Sequence, residues 1–374
     1  LFDTWCEITH GGLPAGAHHA GLPWVRPVEA IVAAHATRRA MPQVSPRFSY
    51  AVTDYPIEDY GTSVVAAQAV RFLEERRREP FALWVSFPDP HEPYEAPRRY
   101  ADLFPREAID LPPWRADEFS DPAHPAPERN RVLHHMTGLE DDPLEDVYGV
   151  LGVYHAMVRM IDDGVGRILD ALERLGLRRD TIVVFLADHG DFAGEHCAMR
   201  KGGAFYDCLT RVPLIVSCPG TVPAARVDES LVNLVDVVPT LYQLQGLDVP
   251  RAMQGQPLPT VTEAAPREAA FAEYGAGGPA FTLKDLERLP RPYGRRTIMQ
   301  TLQWREAEGR RKMVRTREWK YVQDPLGDLD ELYDLAHDPW ELANVAADAA
   351  YTETLAAMRL RLADWSIRSE DAVD

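Results

Sequence analysis

The segment TIVVFLADHGDFAGEHCAMRKGG, residues 181–203, determines how the rest of the chain is interpreted. It begins as an apolar, β-branched run, which is typical of a strand buried on both faces of a parallel sheet. The run ends in Asp188-His189, and Lys201 follows in a Lys-Gly-Gly turn. Ligands of α/β proteins lie beyond the carboxyl ends of parallel strands, so these polar residues are candidates for a metal and anion site. Alternatively, Asp188 has a structural role as the N-cap of a following helix, because Asp is favoured at that position.

The composition is that of a folded protein with an acidic surface. Of the 374 residues, 45% are hydrophobic and 26% are charged, and the net charge is −18. Such a surface repels polyanions, so we expect no nucleic-acid partner. No apolar window reaches the length of about 18 residues that a membrane span needs, so we expect no membrane segment. An acidic protein that acts on small anions needs a local positive site, which a metal ion can supply. The oligomeric state and the compartment are left open.

Apolar periodicity divides the chain into two parts. Up to about residue 262, helices and strands alternate, which is typical of an α/β fold with a mostly parallel sheet flanked by helices. After that point, short strands without intervening helices precede one terminal helix. We predict a main α/β domain over residues 1–262 and a smaller α+β domain with an antiparallel sheet over 263–374. The predicted helices cover 60–80, 154–177, 230–247 and 350–367, and the predicted strands are 81–87, 181–187, 212–220 and parts of EAAFAEYG, RRTIMQTLQWR and RKMVRTREWKYVQD.

Four segments, in the same order along the chain, carry a family resemblance. They are SFPDPHEPY, YHAMVRMIDDGVGRILDAL, DHGDFAGEHCAMRKGGAFYD and the pair MVRTREWKYV with ELYDLAHDPWELAN. Together they resemble the sulfatase family of the alkaline phosphatase superfamily, over roughly residues 60–345. The resemblance implies an alkaline phosphatase-like fold and the metal-dependent hydrolysis of sulfate esters.

The resemblance also implies a role for each candidate residue. Asp188 and His189 match a pair of metal ligands, for one divalent ion that we expect to be Ca²⁺, with Mg²⁺ or Mn²⁺ as alternatives. Lys201 matches the Lys that contacts the sulfate group, and His91 matches the His that contacts sulfate or the leaving-group oxygen. His196, in the Gly-Glu-His turn, is expected near the substrate. These roles are chemically sound, because sulfuryl transfer needs charge stabilisation on the transferring oxygens and a proton for the leaving alkoxide.

The chain departs from the family pattern in its first part. Sulfatases carry an upstream acidic metal-binding pair and a C/S-x-P-x-R motif, whose Cys or Ser becomes the formylglycine nucleophile. Neither Cys6 nor Ser45 has that context. We therefore expect the sequence to correspond to about the last three quarters of a sulfatase. The formylglycine would lie in an N-terminal segment upstream of Leu1 or on a companion chain, and Leu1–Asp374 would be inactive alone.

Two other functions remain open at this point. The same site could hydrolyse phosphodiesters or phosphonate monoesters, since related enzymes share the Asp-His pair, the Lys and the His. The protein could also be a catalytically inactive, truncated homologue that serves as a binding module. If the protein is an enzyme, its substrate is expected to be a small anionic sulfate or phosphate ester. Its identity is not predicted, because specificity lies in loops such as residues 101–147.

Overall fold

The computed structural model describes residue 6 and residues 24–45, 48–262, 264–275, 282–289, 310–325 and 327–369. These residues form two compact units. The first unit takes residues from Leu1–Leu111 and Asp141–Thr181, and the second from Pro112–Glu140 and Ile182–Asp374. The domain boundary at residue 262 stays a prediction.

The elements are numbered in chain order over the described residues. The helices are α1 Val28–Arg39, α2 Gly61–Arg76, α3 Arg98–Ala101, α4 Glu128–Thr137, α5 Leu144–Arg174, α6 Asp207–Thr210, α7 Val237–Leu244, α8 Pro259–Thr262, α9 Leu283–Leu286 and α10 Thr352–Arg368. The strands are β1 Tyr50–Thr53, β2 Tyr94–Pro97, β3 Val183–Leu186, β4 Phe192–Ala193, β5 Met199–Arg200, β6 Leu214–Ser217, β7 Ala270–Tyr274, β8 Arg311–Arg315, β9 Trp319–Gln323 and β10 Glu331–Asp334.

In the first unit, α2 and α5 pack against each other, and α5 also packs on β2. β1 and β2 form a parallel pair in which Tyr50 lies opposite Tyr94. Helix α5 begins ten residues before the predicted start at Tyr154, because Val147, Val150 and Leu151 extend its buried face. Pro143 precedes it and two acidic residues occupy its first turn, where they stabilise the helix dipole.

The prediction of a strand over residues 81–87 is wrong. These residues are described by the structure, and they form no strand there. Trp84, in the middle of this apolar run, is 76% exposed. An apolar run becomes a strand only where a neighbouring chain accepts and donates its backbone hydrogen bonds. Among the described residues this run has no such pairing, and its composition could not reveal that.

In the second unit, β3 is paired with β6, which confirms that 181–187 and 212–220 contain strands. The pair is antiparallel, with Val183 opposite Ser217. The parallel pairing expected for 181–187 is wrong for this described pair, because an apolar run indicates a strand but not the direction of its partner. Helix α7 is shorter than the predicted 230–247, because the residues before it form a 3₁₀ turn closed by an Asn233–Asp236 capping box.

The C-terminal part of the second unit is a four-stranded antiparallel sheet in the order β10-β9-β8-β7, which confirms the predicted sheet. Helix α10, the predicted terminal helix, packs on β8 and β9 and buries Met358 and Leu362 against Val314 and Tyr321. The predicted strand in RRTIMQTLQWR lies outside the described residues. Among the described helices, none combines the length and the apolar character that crossing a bilayer would require.

Candidate metal and anion site

The Asp188-His189 pair follows β3 directly, and its side chains lie together. The imidazole Nε2 of His189 lies 3.6 Å from the Asp188 carboxylate, which is 87% exposed. The other ring nitrogen, Nδ1, lies 2.9 Å from the carbonyl oxygen of Gly190. A carbonyl only accepts hydrogen bonds, so Nδ1 carries the proton and Nε2 keeps its lone pair.

Lys201 reaches the same place from the turn that follows β5. Its ammonium Nζ lies 3.0 Å from Nε2 of His189, so the ammonium donates to the imidazole lone pair. A carboxylate, an imidazole and an ammonium thus meet at one end of β3. Such a group can bind an anion through its ammonium, and it can bind a cation through its oxygen and nitrogen once the ammonium leaves the imidazole lone pair.

Close backbone packing holds the Asp188-His189 loop in place. The N–H of Gly190 donates to the carbonyl oxygen of Leu209 at 2.8 Å. A Cβ atom on Gly190 would lie only 1.9 Å from the carbonyl oxygen of Cys208, so a side chain has no room here. The loop that carries the candidate ligands therefore rests on the turn at residues 207–209.

His91 lies in the first unit, in the loop between α2 and β2. Its Nδ1 lies 2.7 Å from the carbonyl oxygen of Glu92, and buried Arg38 donates to the carbonyl oxygens of His91 and Pro93 at 3.1 and 2.9 Å. Arg38 also pairs with the buried Asp89, at 3.4 Å. The loop is thus held by a guanidinium from α1, and the role of His91 in the reaction stays a prediction.

His196 is a buried residue in this structure, with 3% of its surface exposed. Its Nδ1 lies 2.6 Å from the carboxylate of Glu118, and its ring stacks on Tyr206 at 3.8 Å. Its backbone adopts a φ of 54°, in the left-handed region. These contacts are those of a side chain that holds the turn between β4 and β5. A substrate contact by His196 stays a prediction.

A sequence model of the family described as Sulfatase matches residues 30–247, which is more than half of the chain. The chain belongs to the sulfatase family. The match spans the loop of His91, the helix before β3 and the whole Asp188–Lys201 segment, and so confirms the resemblance that these motifs carry.

Individual sulfatases are related to the chain at moderate identity. It is 29% identical to arylsulfatase K of Bos taurus, over 72% of this chain and 48% of that protein. It is 30% identical to a Delta 4,5-hexuronate-2-O-sulfatase of Bacteroides thetaiotaomicron, over 90% of this chain and 66% of that protein. The chain thus spans about half to two thirds of the length of these relatives.

The fold matches those of solved hydrolase structures. A phosphonate monoester hydrolase of Agrobacterium radiobacter superposes with a TM-score of 0.70 over 94% of this chain and 71% of that chain. At 24% sequence identity this likeness shows the fold alone. It confirms the predicted alkaline phosphatase-like α/β class with its C-terminal antiparallel sheet.

Sulfatases in general use a divalent metal ion and a formylglycine residue. Among the residues that the structure describes, no three His, Cys, Asp or Glu side chains are grouped to hold a metal. Asp188 and His189 nevertheless fit one edge of such a site. Two donors 3.6 Å apart suit one ion bound at about 2.0–2.5 Å from each. In addition, metal-binding His residues typically donate their other ring N–H to a carbonyl, as His189 does to Gly190.

Several residues that shape the site were not predicted. Glu118 and Arg38 hold His196 and the His91 loop, and Asp207 holds the turn on which Gly190 rests. Their partners are far away in sequence, for example 78 residues between Glu118 and His196. The only signal in the sequence is a charged residue inside a mainly apolar motif, as in AFYD and EWKYV.

Proposed function

We propose that the protein, when complete, hydrolyses sulfate esters of small anionic substrates, using one divalent cation and a formylglycine supplied from outside the residues shown. One observation carries the proposal: Asp188, the lone pair of His189 and the ammonium of Lys201 converge at the end of β3. This group can hold a hard cation and neutralise an oxyanion beside it. The family membership supports the sulfate ester as the substrate class.

The residues of this chain would divide the work as follows. Asp188 and His189 would bind the cation, for which Ca²⁺ is our first choice because the carboxylate is a hard oxygen ligand. When bound, the cation supplies positive charge to the transferring group. Lys201 would turn its ammonium from His189 to a sulfate oxygen. His91 would give a proton to the departing alkoxide.

Phosphonate monoester or phosphodiester hydrolysis is the second candidate, because the same charges suit a phosphoryl group. The assay that separates the two uses the natural protein purified from its source. We expect a higher kcat/KM on 4-nitrophenyl sulfate than on phenyl 4-nitrophenyl phosphonate. A peptide map of the same sample should show a formylglycine in a segment that precedes Leu1. A sample without formylglycine and without turnover would instead support the inactive homologue.

Metal binding can be tested on the Leu1–Asp374 chain itself, by Tb³⁺ luminescence with competition by Ca²⁺. We expect Asp188→Ala to weaken binding at least about tenfold, since it removes the charged ligand. Asp162→Ala is the matched control, because Asp162 is also strongly exposed, at 72% of its side chain, and lies on helix α5. Equal binding by both variants would remove Asp188 from the proposed metal site.

A further inference from the structure

The segment between Lys201 and α6 is fixed to the C-terminal sheet at every second residue. Arg311, on β8, donates to the carbonyl oxygen of Gly203. Lys320, on β9, donates to the carbonyl oxygen of Phe205 at 2.7 Å. A Cβ atom on Gly203 would lie 2.7 Å from the ring of Tyr274, on β7, so this segment also lies close against the sheet.

Asp207 is the third and strongest of these attachments. Its carboxylate receives three hydrogen bonds from Arg315, at 3.1, 3.3 and 2.9 Å, and one from the Lys320 ammonium, at 2.6 Å. Its backbone N–H donates to Glu341 at 2.5 Å, and Glu341 pairs with the same ammonium at 2.6 Å. The Lys320 side chain is 0% exposed and that of Glu341 is 2% exposed.

The same turn carries the other arm of the candidate site. Residues 208 and 209, directly after Asp207, provide the two carbonyl oxygens against which Gly190 packs. Gly190 follows His189, and Gly203 lies two residues after Lys201. The loop of Asp188-His189 and the turn of Lys201 are therefore both attached to the segment that Asp207 fixes to the sheet.

Stability alone is a weak explanation for this cluster. Taking charges out of water is costly, and apolar side chains of the same volume often stabilise a fold equally well. What the charges provide is a fixed geometry, since a bidentate Arg–carboxylate pair allows little movement.

We propose that Asp207 is a positioning residue: with Lys320 and Arg315 it fixes the turn of Lys201 and the loop of His189, so that both side chains stay at the same end of β3. This inference rests on the proposed function for its catalytic meaning. The geometry that it predicts can be measured without any substrate. The C-terminal sheet thereby acts on the site through one carboxylate that is not among the proposed ligands.

The test compares Asp207→Asn with Asp330→Asn in the Leu1–Asp374 chain. Asp330 is a matched control, because its side chain is also 17% exposed and also binds an arginine, Arg359. Amide hydrogen exchange is followed in peptides that cover 186–192 and 199–205, with the peptide over α10 as an internal reference. The ring ¹⁵N shifts of His189, assigned with His189→Gln, report its tautomer and its contact with Lys201.

We expect Asp207→Asn to speed exchange in both site peptides about tenfold more than in α10, whose exchange reports the change in global stability, and to move the His189 ring shifts. Asp330→Asn should leave all site signals unchanged. If Asp207→Asn does not fold, Arg315→Lys keeps the charge but loses the bidentate geometry, and it should give the same local changes. Unchanged site peptides and ring shifts would overturn the inference, and so would faster exchange spread evenly over the second unit.

The outcome also separates this inference from the proposed function. If the site peptides loosen but the natural protein turns over no sulfate ester, the positioning role stands and the sulfatase proposal fails. If turnover is present but the site peptides and ring shifts of Asp207→Asn match those of wild type, the positioning role fails alone.

Discussion

The carboxylate of Asp207 also allows a quantitative prediction about stability and pH. Burial alone would raise the pKa of Asp207, but the hydrogen bonds from Arg315 and the charge of Lys320 outweigh burial and hold the pKa at about 2. An Asp in an unfolded chain has a pKa of about 3.9, so the difference corresponds to about 2.5 kcal/mol in favour of the folded state. Asp207→Asn should therefore lower the free energy of unfolding by about 2.5 kcal/mol at pH 7, since Asn carries no charge.

The sign of the pH dependence follows from the lowered pKa. A carboxyl group with a lowered pKa in the folded state contributes its full stabilisation above the pKa of the unfolded chain. That contribution is lost as the pH falls from about 4 to about 2. The difference between wild type and Asp207→Asn should thus be constant from pH 5 to pH 7 and smaller by about 1 kcal/mol at pH 3. Burial, and also the charge of Asp207, raises the pKa of Glu341, so Asp207→Asn favours the ionised form of Glu341 and adds a smaller change to the comparison.

Urea unfolding at pH 7, 5 and 3, followed by tryptophan fluorescence, measures this difference. Trp319 and Trp365 lie on β9 and α10 and report on the sheet that binds Asp207. A difference in unfolding free energy that stays the same at pH 3, or increases there, would show that Arg315 and Lys320 do not hold the carboxylate ionised. The reasoning about the whole cluster would then be refuted.

Three further predictions concern the candidate site and the His91 loop. In the natural protein, the proposed function predicts that Lys201→Ala lowers kcat/KM on an aryl sulfate by about 10²–10³ and changes the free energy of unfolding by less than about 0.5 kcal/mol. Turnover within about threefold of wild type would remove Lys201 from the site. Gly190→Ala should lower the free energy of unfolding by about 1–3 kcal/mol and abolish Tb³⁺ binding, because its Cβ would lie 1.9 Å from the carbonyl oxygen of Cys208. Gly166→Ala, on α5 with nothing within 4 Å, is the control and should not destabilise; equal melting temperatures would contradict the packing argument. Arg38→Met should lower the free energy of unfolding by about 3–5 kcal/mol, because it leaves Asp89 and Glu95 buried without their cation. Arg39→Met, an exposed position on the same helix, should lower it little. Equal melting temperatures for the two variants would disprove the role of Arg38 in holding the His91 loop.

The periodicity of apolar residues predicted the elements that have one regular buried face. Helix α10 and the strands β8 and β9 lie where periodicity placed them, because one buried face is enough to define each. The start of α5 was missed since its first ten residues follow an acidic, Pro-containing stretch. The failure at residues 81–87 has another cause, because pairing depends on a partner strand that composition cannot identify.

The same distinction applies to the candidate site. Asp188, His189 and Lys201 could be predicted to meet, because the first two end one predicted strand and Lys201 follows His189 by only 12 residues. The tautomer of His189 could not, since it depends on which way one carbonyl points. The burial of His196 could not either, because its partner Glu118 lies in a loop without periodicity.

Asp207 shows why the rest of the site is invisible in the sequence. Its partners lie 108, 113 and 134 residues further along the chain, on two strands and one turn. In the sequence these are only an Arg, a Lys and a Glu among apolar neighbours, and such residues normally lie on the surface. In the fold they become a buried charged cluster whose geometry determines where Lys201 can be. The C-terminal sheet was predicted as a separate, smaller domain, and the contacts of Asp207 make it part of the support of the site.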